Sequence, residues 1–153
     1  MTQSPSDNGS ALPVIACDAD KARLSLALDA LVDNAAVLDA QGVIVMINLA
    51  WRQYALAYSP LPGQMPTHSD VGSNYLAVAE HSYGALDYAS RAVNGIRAVL
   101  SGKVDSFTLR YPCHTPRQQF WYTMKVTPLI WDGQRGALVT HTDTTPHHRL
   151  QSK

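Results

Sequence analysis

Apolar and polar positions follow two rhythms along this chain. From Asp18 onward, Leu24, Leu28 and Leu31 recur at helical spacing with Ala27 beside them, which predicts a helix over 18–33. Asp18 suits its N-cap, and Asp20 suits the positive end of its dipole. Ala35 to Leu38 then reads as a short strand. Asp39-Ala40-Gln41-Gly42 reads as a tight turn, because Gly takes positive φ without steric cost. The β-branched run Val43 to Ile47 reads as a buried strand. Asn48 can accept a hydrogen bond from a free N–H of the next turn, so a second helix starts there and carries Trp51, Tyr54 and Ala55.

Ser59 to Asp70 holds three prolines and a glycine and reads as a loop. Gly72-Ser73-Asn74-Tyr75 leads into a short helix that ends near His81, before the breaker Gly84. Leu86, Ala89, Val93, Ile96 and Leu100 share one face of a longer helix, closed by Gly102 with Lys103 near the negative end of the dipole. Three strands follow. Phe107, Leu109 and Tyr111 alternate with Thr108 and Arg110; Phe120, Tyr122, Met124 and Val126 alternate with Trp121, Thr123, Lys125 and Thr127. Ala137, Val139 and His141 alternate with Leu138, Thr140 and Thr142. Period-two alternation predicts half-buried antiparallel strands, and Asp132-Gly133 supplies the last hairpin turn. Two strands, several helices and a three-stranded meander make an α+β domain with one sheet.

Composition narrows the function. The 153 residues suit one domain with tails. Lys plus Arg equals Asp plus Glu at twelve each and no polybasic run occurs, so neither nucleic acid nor anionic lipid is attracted electrostatically. No apolar run approaches the roughly 20 residues needed to span a membrane. The polar start, Met1 to Leu12, is expected to be disordered and lacks a signal-peptide pattern, so the expected location is cytoplasmic. Cys17 and Cys113 lie far apart and read as reduced thiols. Cys113-His114, His68, His81 and the His147-His148 pair stand in separate segments, so no metal site is expected. The sequence holds no G-x-S-x-G, no P-loop and no dinucleotide fingerprint. An enzyme is therefore not expected, although a small α+β enzyme stays an alternative.

The turn, strand, Asn cap and helix around Asp39–Trp51, the later helix and three strands, and the ending Asp143-Thr144-Thr145 together resemble a PAS sensor domain. The likeness runs from about Ala35 to Thr145, and the ending is similar to the Asp-Ile-Thr signature of many PAS cores. It implies a five-stranded antiparallel sheet with helices on one face and an N-terminal flanking helix. The implied division is a disordered tail over 1–17, the flanking helix over 18–33 and the PAS domain over 34–146. Residues 147–153 are then a C-terminal tail or the start of a signalling helix.

The flavin-binding LOV branch has Gly-Arg-Asn-Cys where this chain has Gly72-Ser73-Asn74-Tyr75. Phe120-Trp121 matches a LOV Phe-Trp pair, but Tyr122 stands where LOV has an amide side chain and His141 where it has Gln. A phenol cannot form the thioether adduct, so no flavin photocycle is expected. Haem remains an alternative cofactor for a gas or redox sensor, with His81 the helical candidate. The resemblance brings Tyr75, Ile96, Tyr122, Met124, Val126 and His141 together, either as core filling or as a ligand pocket. A buried His141 needs partners, for example the hydroxyl of Tyr75 or Tyr122. The family's habits also imply a homodimer, with Leu24, Leu28, Leu31, Trp121 and Leu138 as its candidate interface and α-helix 18–33 covering the outer sheet face in cis or across the pair. The implied role is a sensory or protein-interaction module that binds a small molecule or an effector protein, in cis or in trans.

Overall fold

A computed structural model describes residues 11–57, 69–77, 86–112 and 119–145. His68, His81, Gly84, Cys113, His114, His147 and His148 lie outside the described residues, as does most of the expected Ser59–Asp70 loop. In chain order the elements are β1 (Val14–Ile15), α1 (Asp18–Asp29), β2 (Asn34–Leu38), β3 (Ile44–Ile47) and α2 (Leu49–Ala57). Then come α3 (Leu86–Leu100), β4 (Phe107–Pro112), β5 (Trp121–Trp131) and β6 (Gln134–Asp143).

The strands form one sheet of order β1-β5-β6-β2-β3, with β4 also paired to β5. Five of them, β2 to β6, pair antiparallel as expected. The sixth is new. β1 pairs parallel with Ile130 and Trp131, and the Ile130 and Asp132 N–H groups donate to the Pro13 and Ile15 carbonyls at 2.8 and 2.9 Å. It takes the stretch of β5 that β4 leaves unpaired, since β4 stops at Val126. Val14–Ile15 lies in the stretch expected to be a disordered tail, because two residues are too few to show a period.

Local chemistry sets the joints. The N-cap expected at Asp18 falls one residue earlier: Cys17 caps α1, and its Sγ accepts from the Asp20 N–H at 3.4 Å. Asp20 reaches back to the Ala16 and Cys17 N–H groups, which completes a capping box. At the other end α1 stops at Asp29, so Leu31 lies beyond it. Asp39 Oδ1 accepts from the Gln41 and Val43 N–H groups at 2.9 and 3.0 Å, and Gly42 sits at φ +85° as the turn requires. Asp132 and Gly133 have φ of 50° and 82°, the two left-handed positions of a type I′ hairpin. Lys103 N–H donates to Ala98 O and Gly102 N–H to Val99 O, a Schellman close to α3.

The sheet buries both faces. On one, Leu38, Ile44, Leu109, Met124, Val126, Ala137 and Val139 pack with Trp51 of α2 and with Ala92, Val93, Ile96 and Val99 of α3. On the other, Ala35, Val37, Leu129 and Trp131 pack under Leu28 of α1, with Ile15, Leu24, Val45, Met46 and Leu138 around them. Thus α1 covers part of the outer face of its own sheet. Leu28, a candidate interface residue, packs in this cluster at 4% exposure, which is the in-cis form of the expected cover. Leu24 and Leu138 border the cluster, Trp121 is half-buried and Leu31 is exposed. Lys21 lies over the Trp131 ring and pairs with Asp132 at 3.0 Å, which fastens α1 to the β5–β6 turn.

Asn48 joins these layers. Its Oδ1 accepts from Ala35 N–H at 3.0 Å and Trp51 N–H at 2.9 Å, and its Nδ2 donates to Leu28 O and Asp33 O, both at 2.8 Å. All four hydrogen-bonding positions of a buried amide are used. Asn48→Ala strands buried backbone groups on α1, β2 and α2 at once. An unmatched buried group costs about 1–3 kcal/mol, so the variant is expected to lose at least about 3 kcal/mol in urea unfolding. A loss under about 1 kcal/mol would show that water replaces these bonds.

Candidate functional site

The strand alternation of β6 puts His141 on the same face as Ala137 and Val139, opposite Met124 across the β5–β6 ladder. There it meets two phenols. The Tyr75 hydroxyl lies 2.9 Å from His141 Nε2, and the Tyr111 hydroxyl lies 2.8 Å from Nδ1. A neutral imidazole has one N–H and one lone-pair nitrogen. One tyrosine therefore donates to the ring, and the other accepts from it.

Each partner is delivered by a different element. The segment before Tyr75 is clipped to β3: Ile44 N–H donates to Ser73 O, Gly72 N–H to Ile44 O, and Tyr75 N–H to Gly42 O. Asn74 Oδ1 accepts from the Leu76 and Ala77 N–H groups and so starts a helical turn at Tyr75. Tyr111 comes from β4 and stacks on its cross-strand neighbour Tyr122 at 5.9 Å between centroids and 21° between planes. Tyr111 also meets the His141 ring edge-on, at 5.8 Å and 87°. Trp51, on the first turn of α2, lies 5.6 Å from the Tyr75 ring and 5.9 Å from His141. Its Nε1 donates to Ser69 O at 2.8 Å. The result is a cluster of five rings from α2, the Tyr75 turn, β4, β5 and β6, set at the polar end of an apolar core.

Of the six pocket candidates, the structure brings Tyr75, Tyr122 and His141 into this cluster. Ile96, Met124 and Val126 are fully buried in the adjoining core. The partners expected for the histidine are Tyr75 or Tyr122; the structure gives it Tyr75 and Tyr111. The signal for Tyr111 was present, since it shares the inward register of β4 with Phe107 and Leu109. Trp51 was legible only as a helical aromatic after the Asn cap. Burial pushes the His141 pKa down from 6.5 to about 4, so the ring is neutral at neutral pH. With a phenol on each nitrogen, it is also engaged at both positions through which it could ligate a haem iron. Among the described residues no three His, Cys, Asp or Glu side chains converge on a possible metal site. No described helix is long and apolar enough to cross a membrane.

Comparison with known structures identifies the architecture. The PAS domain of Bordetella pertussis BvgS matches with a TM-score of 0.60 and 12% identity, over 88% of this chain and 93% of that one. A structure described as the phage VqmA–DPO complex matches with a TM-score of 0.58 and 19% identity, over 88% and 58%. A PAS domain from Colwellia psychrerythraea matches with a TM-score of 0.53 and 17% identity, over 84% and 99%. The chain has a PAS-family fold. No family model matches the sequence. In sequence it is 43% identical, over 128 residues, to an uncharacterized 104.1 kDa protein in the hypE 3′ region of Rhodobacter capsulatus. That match covers 82% of this chain and 13% of the relative, so the chain spans about an eighth of the relative's length.

The depressed pKa of His141 makes stability depend on pH with a definite sign. The unfolded chain binds the proton near pH 6.5, whereas the folded chain resists it until about 4. The stabilisation is complete above the unfolded value and is lost as pH falls through this window. Urea unfolding is expected to show about 1–3 kcal/mol of loss from this group across the window. In His141→Phe the slope between the two values should flatten; an unchanged slope would assign it to other groups.

Proposed function

We propose that this chain is a PAS sensory module of a signal-transduction protein, with a small-molecule site at the His141 cluster. The observation that carries the reading is the placement of a neutral histidine and four aromatic rings at the end of the sheet–helix core, beside the end of β6. The neighbouring register supports an output route. Tyr122 pairs with Asp143, Thr144 N–H donates to Trp121 O, and Trp121 N–H donates to Thr145 Oγ1. A displaced Tyr122 therefore pulls on the last described residues. Two neighbours fit the same role: the sensor region of a sensor histidine kinase and the VqmA–DPO complex share the fold. The 104.1 kDa relative supports a domain that signals in cis to other parts of a longer chain. A ligand shifts such a module only by binding one conformation better than another. The proposed location is the cytoplasm, and the proposed domain runs over 34–146 with 18–33 as its flanking helix.

Native mass spectrometry and the absorption spectrum of the purified protein test the ligand. A co-purifying small molecule is expected, and Tyr122→Trp should lose it while keeping the fold at a cost of about 1–3 kcal/mol from overpacking. Retention of the molecule by a folded Tyr122→Trp protein would move the site away from β5.

The proposed assembly is a homodimer that uses α1 and the outer sheet face. Deleting residues 1–33 uncovers Val37, Leu129 and Trp131, so light scattering should find a monomer or an aggregate. A well-folded dimer of the shortened chain would show that α1 is not the interface.

A further inference from the structure

We propose that Tyr75, His141 and Tyr111 form a one-electron redox site, in which a phenol gives its electron to an oxidant and its proton to His141. The oxidant is of the class that acts from solution by electron transfer, such as a high-valent metal complex. This activity needs no bound small molecule.

The step balances within the triad. The donating phenol loses one electron, and the oxidant is reduced by one. The O–H bond breaks as the proton moves to the facing imidazole nitrogen, which leaves a neutral phenoxyl radical and an imidazolium. The reverse step takes one electron from a reductant, and the proton returns along the same hydrogen bond.

Distance is the first argument. The Tyr75 hydroxyl lies 2.9 Å from His141 Nε2 and the Tyr111 hydroxyl 2.8 Å from Nδ1, so the proton crosses a single hydrogen bond. A phenol is hard to oxidise while it keeps its proton, because its radical cation is a very strong acid. A base already in place removes that obstacle. Burial holds the His141 pKa at about 4, so the base is neutral and its lone pair is present at neutral pH.

Conserved bonding is the second. Before the step the imidazole has one N–H, so one phenol donates to it and the other accepts from it. Afterwards both ring nitrogens carry an N–H, and each faces an oxygen that accepts. No heavy atom has to move, whichever tautomer is present at the start.

The surrounding rings are the third. Tyr75 and Tyr111 are 6% and 9% exposed, which keeps a phenoxyl from coupling with a second radical in solution. Tyr111 stacks on the half-buried Tyr122 at 5.9 Å between centroids, so an electron can leave through a neighbour that reaches solvent. Trp51 lies 5.9 Å from the His141 ring, within reach of cation–π attraction to the imidazolium.

The test oxidises the full chain at neutral pH with flash-quenched tris(bipyridine)ruthenium(III). Electron paramagnetic resonance and transient absorption follow the products. A tyrosyl radical that outlives the radical of free tyrosine is expected, with a hydrogen-bonded signature and slower formation in heavy water. In His141→Phe its formation should slow by about a hundredfold, the ordinary worth of a positioned base. The double variant Tyr75→Phe/Tyr111→Phe keeps every ring and should lack the long-lived radical; it serves as the test if His141→Phe does not fold. Tyr54, 39% exposed on α2, is the control, and Tyr54→Phe should keep the signal. An unchanged rate in folded His141→Phe, or equal rates in light and heavy water, overturns His141 as the proton acceptor. No long-lived radical in the parent, its persistence in the double variant or its loss in Tyr54→Phe overturns the site.

Discussion

One side-chain amide holds the architecture in register. Asn48 stands between β3 and α2 and bonds to backbone groups of residues 28, 33, 35 and 51. It ends one helix, starts another and spaces β2 from both. Leu49 N–H adds a bond to Asp29 Oδ1 at 2.7 Å, so the start of α2 is tied twice to the end of α1. The entry angle of α2 sets where Trp51 points, and Trp51 forms one wall of the aromatic cluster. A buried amide of this kind is worth more in specificity than in net energy, because every competing arrangement leaves several backbone groups unpaired.

Close approach is the second constraint. Gly95 of α3 faces the ring of Phe107, and a Cβ at that position would collide with the ring. Glycine in a helix interior costs about 1 kcal/mol against alanine, and here it lets β4 lie close to α3. That approach brings Tyr111, four residues along the strand from Phe107, into line with His141. Arg135 then closes the same helix from the sheet side, donating from Nε to Val99 O at 2.7 Å. The position of α3 over the sheet is thus set by a missing side chain at one point and an added one at another.

The His141 cluster reconciles two opposed demands. A core strand position favours an apolar residue, and an imidazole there loses its hydration. Two phenols replace the lost water bonds while bringing large apolar rings with them, so polar satisfaction and packing come from the same side chains. The ring stays uncharged at neutral pH because burial disfavours the imidazolium.

The sequence by itself determined the local grammar. The Asp39–Gly42 turn, the Asn48 cap, the close of α3 at Gly102, the Asp132-Gly133 hairpin and the alternation of the last three strands all depend on residues within a few positions of one another. Those interactions survive translation into a linear pattern. The same pattern made His141 conspicuous as an inward imidazole in an apolar register. Only the tertiary structure decided which phenols meet it, since Tyr75 and Tyr111 are 66 and 30 residues away along the chain and nothing local selects Tyr111 over Tyr122. It also decided that Leu28 is buried within its own chain and that Val14–Ile15 completes the edge of β5. Both depend on which surface the β5–β6 hairpin leaves open, and that surface exists only once the sheet has closed.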